Sequence, residues 1–195
     1  GDTNAEKQLP LRIAILGAGA CALPGFLHHV LPHVQIDAVE NHNDVCIAAR
    51  EHFGVKALEK SGRFRLHEEC ALDWLAQAAD SSVDLLLIDM EAGDSYDYLR
   101  TSVQDDEIEV DQSQSRSSTR MQPDAPLLAP PRPVLEPAVL NRCAEVLADG
   151  GVLAINALGS AEAVHEAALQ ISAVAWCSPP AAALDGTLSH RLFLQ

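Results

Sequence analysis

Between Leu11 and Leu31 the chain reads LRIAILGAGACALPGFLHHVL. An apolar run is broken by alternating glycines, and an apolar segment at helical spacing follows. No other stretch narrows the fold so much. Leu11–Gly17 is expected to be a buried strand, because β-branched and apolar residues run uninterrupted to a glycine. From Ala22 the positions Leu23, Phe26, Leu27, Val30 and Leu31 form a helical stripe that stops near Pro32. Strand, glycine loop and helix in that order open a βαβ unit whose loop can cradle a nucleotide.

The pattern then repeats. VQIDAVE (34–40) alternates and closes on a carboxylate, so it reads as a second strand. Asp44–Phe53 is helical, closed by Gly54. Arg63–His67 is a short third strand, ALDWLAQAA a helix, and VDLLLIDM (83–90) the plainest buried parallel strand in the chain. A helix from about Glu136, closed by Gly150 and Gly151, leads to a fifth strand, VLAINAL. Ala161–Val174 is another helix. AVAWCS, the turn LDG and LSHRLFLQ are expected to form a terminal antiparallel pair. Strands alternating with helices imply an α/β fold: a doubly wound, mostly parallel sheet of about seven strands, with an antiparallel strand near the carboxyl terminus.

At 195 residues this is a single domain able to bury a real core. One segment departs from regularity. Glu91–Pro133 carries an acidic cluster, a Ser/Gln stretch and several prolines, and is expected to be a mobile insertion. A formal charge of −15 disfavours nucleic acid, which needs a basic face. No apolar run is long enough to cross a bilayer. The chain opens on Gly1, so the lack of a signal-like segment carries no weight. The five cysteines are scattered, without a C-x-x-C pair; they read as reduced thiols of a cytoplasmic setting. No metal site is expected. His28 and His29 are adjacent on a helix and face different ways, and no thiol or carboxylate stands at ligand spacing.

Ligands of such sheets bind at the carboxyl ends of the strands. Gly17 and Gly19 follow the first strand, Glu40 the second, Cys70 the third and Asp89 the fourth. GAGACA satisfies a dinucleotide fingerprint, with Glu40 near the spacing of a ribose-binding acid. It equally satisfies the glycine-rich first motif of methyltransferases. Asp89 ending strand four, LADGGVLAINA entering strand five and the closing pair favour the second reading. A nicotinamide enzyme would also need a separate substrate domain.

LGAGACALPGFLHHVLPHVQIDAVE, ALDWLAQAA, VDLLLIDMEAGD, LADGGVLAINAL and SHRLFLQ together resemble the spermidine-synthase-like class I methyltransferases. The resemblance spans nearly the whole chain apart from the acidic insertion. It implies S-adenosylmethionine as cofactor, held by Gly17, Ala18, Gly19, Glu40, Asn41, Cys70, Ala71 and Asp89. It also implies a protein amine as acceptor, a lysine or an N-terminal α-amine, on a substrate like elongation factor 1-alpha. Asp89, Glu91 and Asp94 correspond to the family's acidic pattern after strand four. As carboxylates they could orient the amine and take up its proton. A homodimer is compatible with the resemblance.

Three departures stand beside it. Asn41-His42-Asn43 replaces a usually acid-containing segment, Cys70 replaces the acid expected to accept from the adenine amino group, and Cys21 stands at the third loop glycine. They motivate an alternative, a catalytically inactive interaction module with the same fold. A third reading is an aminopropyltransferase. It is disfavoured because the amino-terminal strands that help cover the amine site in that family are absent. Asp73 reads as a solvated helix position, and Trp74 as core or a partial adenine cover.

Overall fold

The structure is a computed structural model that describes residues 10–91, 127–173 and 191–194. Its centre is a parallel sheet. β1 (Leu11–Leu16), β2 (Val34–Glu40), β3 (Phe64–Glu68), β4 (Val83–Ile88), β5 (Leu147–Ile155) and β6 (Arg191–Leu194) lie in the order β3-β2-β1-β4-β5-β6. The helices are α1 (Ala22–Val30), α2 (Asn43–His52), α3 (Val55–Glu59), α4 (Ala71–Gln77), α5 (Pro137–Val146) and α6 (Ala161–Ala173). A 3₁₀ turn, Arg132–Leu135, precedes α5. Strand order reverses at β1, which pairs with β2 on one side and β4 on the other. That reversal is the topological switch where such sheets hold ligands.

Strand alternation divides the core in two. Ile13, Ile15, Ile36, Ala38, Phe64 and Leu66 point to one face, where Leu27 of α1, Leu31 just after it and Leu58 of α3 pack on them. Ala14, Leu16, Val39, Leu86, Ile88, Leu153 and Ile155 point to the other. There they meet Leu75 of α4, Leu140 and Cys143 of α5, and Ile171 of α6. Each large apolar side chain buried this way contributes about 1.5–3 kcal/mol. β1 is also tied to β4 through Arg12, whose Nη2 donates to Asp84 Oδ1 at 2.7 Å and whose Nε donates to Oδ2 at 3.1 Å.

The first four strands follow the sequence reading to within a residue or two. Elsewhere the structure corrects it. Residues 55–59 form a helix that had not been expected. The helix before strand five ends at Val146, not at the glycines. Gly150 and Gly151 lie inside an irregular β5, where the register jumps from Val83↔Leu147 to Leu85↔Val152. Gly150 has φ +74°, and a Cβ on Gly151 would stand 2.8 Å from the Ala148 carbonyl oxygen. These glycines fold excess strand out of register instead of capping a helix.

The carboxyl-terminal strand is a second correction. The described residues give six strands, and β6 pairs parallel with β5, Val152↔Arg191 to Ile155↔Leu194. α6 lies between them in the chain, and a connection long enough to cross over permits parallel pairing. AVAWCS, the partner expected for an antiparallel pair, lies almost wholly outside the described residues.

Of the expected insertion, residues 92–126 lie outside the described residues. Residues 127–133 belong to the fold. Leu128 and Ala129 are buried, and Ala129 makes an antiparallel bridge with Leu158. Among the described residues no helix is long and apolar enough to cross a membrane.

Candidate functional site

Parallel pairing brings the carboxyl ends of β1 to β5 to one edge. Leu16, Val39 and Ile88 are in register across β2-β1-β4, so Gly17, Glu40 and Asp89 follow one another there. The loop after β1 turns sharply, with the N–H groups of Gly17 and Ala18 both donating to the Val39 carbonyl at 2.9 Å.

The two glycines of this loop do different work. A Cβ on Gly17 would stand 2.3 Å from the Asp89 carbonyl oxygen and 2.7 Å from Met90 Cγ, so the sheet itself requires glycine there. Gly19, at φ +52°, has nothing within 4 Å of that position. Its open side faces space that a ligand can enter. Cys21 takes the positive φ of the third loop glycine, +62°, as the cap of α1. Burial pushes its thiol up to about 12, so it stays neutral.

Glu40 is the most constrained polar group at this edge. Only 8 % of it is exposed. Oε2 accepts from the Gly19 N–H at 2.9 Å, and Oε1 accepts from the His42 N–H at 2.9 Å. His42 Nδ1 lies 3.0 Å from the same Oε1. A buried carboxylate is costly unless it is bonded. Here it ties the glycine loop to the start of α2.

Asp89, by contrast, is exposed. Its N–H donates to the Leu16 carbonyl at 2.8 Å, and its Oδ1 accepts from Asn156 Nδ2 at 2.8 Å. The second carboxylate oxygen carries no described bond. Asn156 follows β5 at the position next to Asp89, since Ile88 and Ile155 are partners.

No family profile matches the chain. The eEF1A lysine and N-terminal methyltransferase of Mus musculus is 31% identical over 90 residues, covering 45% of this chain and 12% of the relative. Its Homo sapiens counterpart is 29% identical over 92 residues, covering 45% of this chain and 13% of the relative. The chain thus spans only about an eighth of the length of these curated relatives. Among solved structures, human methyltransferase-like protein 13 in complex with SAH superposes with a TM-score of 0.52. Identity is 23%, over 74% of this chain and 53% of that one. This chain has the class I methyltransferase fold.

Within that fold the expected site residues are not all brought together. Gly17, Gly19, Glu40 and Asp89 meet at the sheet edge. Ala18 is buried with its N–H already bonded, whereas Asn41 is exposed beside Glu40. Cys70 is exposed and precedes α4 without a side-chain capping bond; Ala71 is half-buried against the core. Glu91 is exposed at the end of the described segment, and Asp94 lies outside it. Asp73 is exposed, and Trp74 packs against the core with its ring 6.0 Å from that of His67.

Two residues escaped the sequence reading. His42 had been noted only as part of a departure, yet it makes two of the contacts to Glu40. Asn156 had been read only as strand. Its signal was available: a polar residue ending strand five stands next to the acid ending strand four.

Proposed function

We propose that this chain binds S-adenosylmethionine at the carboxyl edge of the sheet and methylates a protein amine. The observation that carries the reading is Glu40: a buried carboxylate closing β2, bonded to the loop N–H of Gly19, whose outer side is open. Each carboxylate oxygen keeps acceptor capacity beyond its backbone partner, which suits a pair of ribose hydroxyls. The partial identity to the two eEF1A methyltransferases supports the same reading. When bound, the cofactor supplies an electrophilic methyl group on a sulfonium. The pocket would use Gly17, Ala18, Gly19, Glu40, Asn41, Cys70 and Ala71, with Asp89 bordering the methyl group.

The chain's own contribution is positioning, which dominates such displacements. Asn156 holds one oxygen of Asp89, leaving the other to accept from the incoming amine. An amine attacks only when neutral, so a carboxylate that takes its proton keeps the reaction moving. Asp89 does this, with Glu91 and Asp94 nearby in sequence. The acceptor resembles elongation factor 1-alpha in offering a lysine or an N-terminal amine, and the setting is cytoplasmic. The 195 residues act as one domain.

Calorimetric titration with S-adenosylmethionine tests the reading. Cys70→Asp supplies an acceptor for the adenine amino group and should tighten binding. No binding before or after that change overturns the proposal. Such a result would favour the non-catalytic interaction module, for which His42 on Glu40 and the exposed Cys70 are the supporting observations.

A further inference from the structure

Glu40 has less room for a ligand than its place at the sheet edge suggests. An ionised carboxylate only accepts hydrogen bonds, at about four positions shared between its two oxygens. Oε2 gives one of them to the Gly19 N–H at 2.9 Å. Oε1 gives one to the His42 N–H at 2.9 Å and a second to the His42 ring, whose Nδ1 lies at 3.0 Å. That last bond requires the proton to be on Nδ1. Among the described residues, a single acceptor position on Oε2 is then not taken. A ribose presents two neighbouring hydroxyls and needs a position on each oxygen.

The ring is the removable partner of Glu40. The N–H groups belong to the backbone of the glycine loop and of the start of α2, and neither can leave without unwinding its segment. His42 caps α2 through its carbonyl, which accepts from the Cys46 N–H at 3.0 Å, while its side chain makes no capping bond. Packing does not hold the ring either, since 74% of the side chain is exposed. Rotation about its side-chain bonds carries it into water, where imidazole is well hydrated. Glu40 keeps both backbone bonds when the ring turns away, so the acid stays in place.

We propose that the His42 ring is a built-in occupant of the ribose position, resting on Glu40 Oε1 until the second hydroxyl of a vicinal diol displaces it. A diol gains two bonds to Glu40 at the expense of one from His42. A ligand with one hydroxyl takes the remaining position on Oε2 and leaves the ring where it is. His42 thereby sets how strongly the site prefers a diol. The inference rests on the cofactor site proposed above and deepens it: Glu40 recognises the sugar, and His42 moderates how tightly.

His42→Ala separates this role from a supporting one. A ring that props up Glu40 would weaken every ligand when removed, whereas a displaced occupant tightens the diol. In calorimetric titrations, His42→Ala should bind S-adenosylmethionine about three- to tenfold more tightly than the unsubstituted chain, the net worth of one hydrogen bond. Removing the hydroxyl that meets Oε1 removes the gain. One of the 2′-deoxy and 3′-deoxy analogues should therefore bind the unsubstituted chain and His42→Ala alike. His42→Asn, whose amide nitrogen stands where Nδ1 does and also donates, should bring the affinity for S-adenosylmethionine back down. Nitrogen NMR of the unsubstituted chain needs no variant, so it decides the matter even if a substitution fails to fold. The His42 Nδ1 resonance should shift as S-adenosylmethionine is added and its carboxylate partner is lost. Weaker or unchanged binding by His42→Ala, equal tightening of the diol and both deoxy analogues, or an Nδ1 resonance unmoved at saturation overturns the inference and leaves the cofactor site standing. No binding of S-adenosylmethionine by the unsubstituted chain or its variants overturns both.

Discussion

Glu40 and Asp89 close neighbouring regions of one sheet edge and are held in opposite ways. On the β3-β2-β1 side the carboxylate is buried, with both oxygens bonded to backbone N–H groups. On the β4-β5 side it is exposed, one oxygen held by a single side-chain amide. A group fixed by backbone suits constant recognition of a ligand. A group held by one side chain keeps a free oxygen for a proton. On the function proposed above, the difference divides the edge into a binding half and a reacting half, joined where β1 meets β4.

The junction is the place to break that division. Gly17→Ala would drive a Cβ into the Asp89 carbonyl at 2.3 Å, in a backbone conformation that also disfavours it. The expected loss is about 3 kcal/mol or more in urea denaturation. Gly19→Ala, with open space around it, should cost only about 1 kcal/mol of backbone strain. Equal losses would show that the two glycines do the same work.

Next in size, Glu40→Ala should weaken S-adenosylmethionine binding by about thirty- to a thousandfold, the loss of charge-assisted bonds worth about 2–4 kcal/mol. Asp89→Ala should instead lower turnover by about 10²-fold, with binding changed far less. Single-turnover rates and titrations on both variants separate the halves. If Asp89→Ala loses binding as severely as Glu40→Ala, the division fails.

A smaller effect is set by pH. The hydrogen bonds from Arg12 hold the Asp84 carboxyl below its ordinary value of 3.8. A depressed folded value means the stabilisation is fully present above the unfolded value and is lost as pH falls through the folded one. The pair is partly exposed and screened, so about 1 kcal/mol is at stake. Asp84→Asn should lose that amount at neutral pH and show a flatter decline below pH 4 in thermal melts. The smallest change concerns Cys21. Cys21→Gly relieves its positive φ but empties a buried position, so stability should stay within about 1 kcal/mol.

The binding half was the more legible in sequence. A strand that ends at a glycine, and another that ends at an acid, are local patterns, and LRIAIL and VQIDAVE carried them unaided. The reacting half depends on pairings between distant strands. Asn156 matters only because β5 lies beside β4 in one register, and no local pattern announces a register. The double glycine misled for a related reason. Gly150 and Gly151 suit a helix end as well as a bulge, and only the pairing with β4 decides between them. The closing strand was read as half of a hairpin because LDG is a good turn. Its parallel pairing depends on where the chain after α6 meets the sheet again, which turn chemistry does not encode.

That parallel β6 also fixes how the molecule can be handled. Because β6 runs in the same direction as β1, Leu194 finishes at the edge that carries Gly19, Glu40 and Asp89, whereas Leu11 enters the sheet at the opposite edge. A reporter attached at Leu194 is therefore held at the edge that carries Glu40, and one attached at Leu11 at the far edge. Leu194 is the natural anchor for a proximity probe of whatever docks there. Leu11 suits a surface tether, with the Glu40 edge turned to solution.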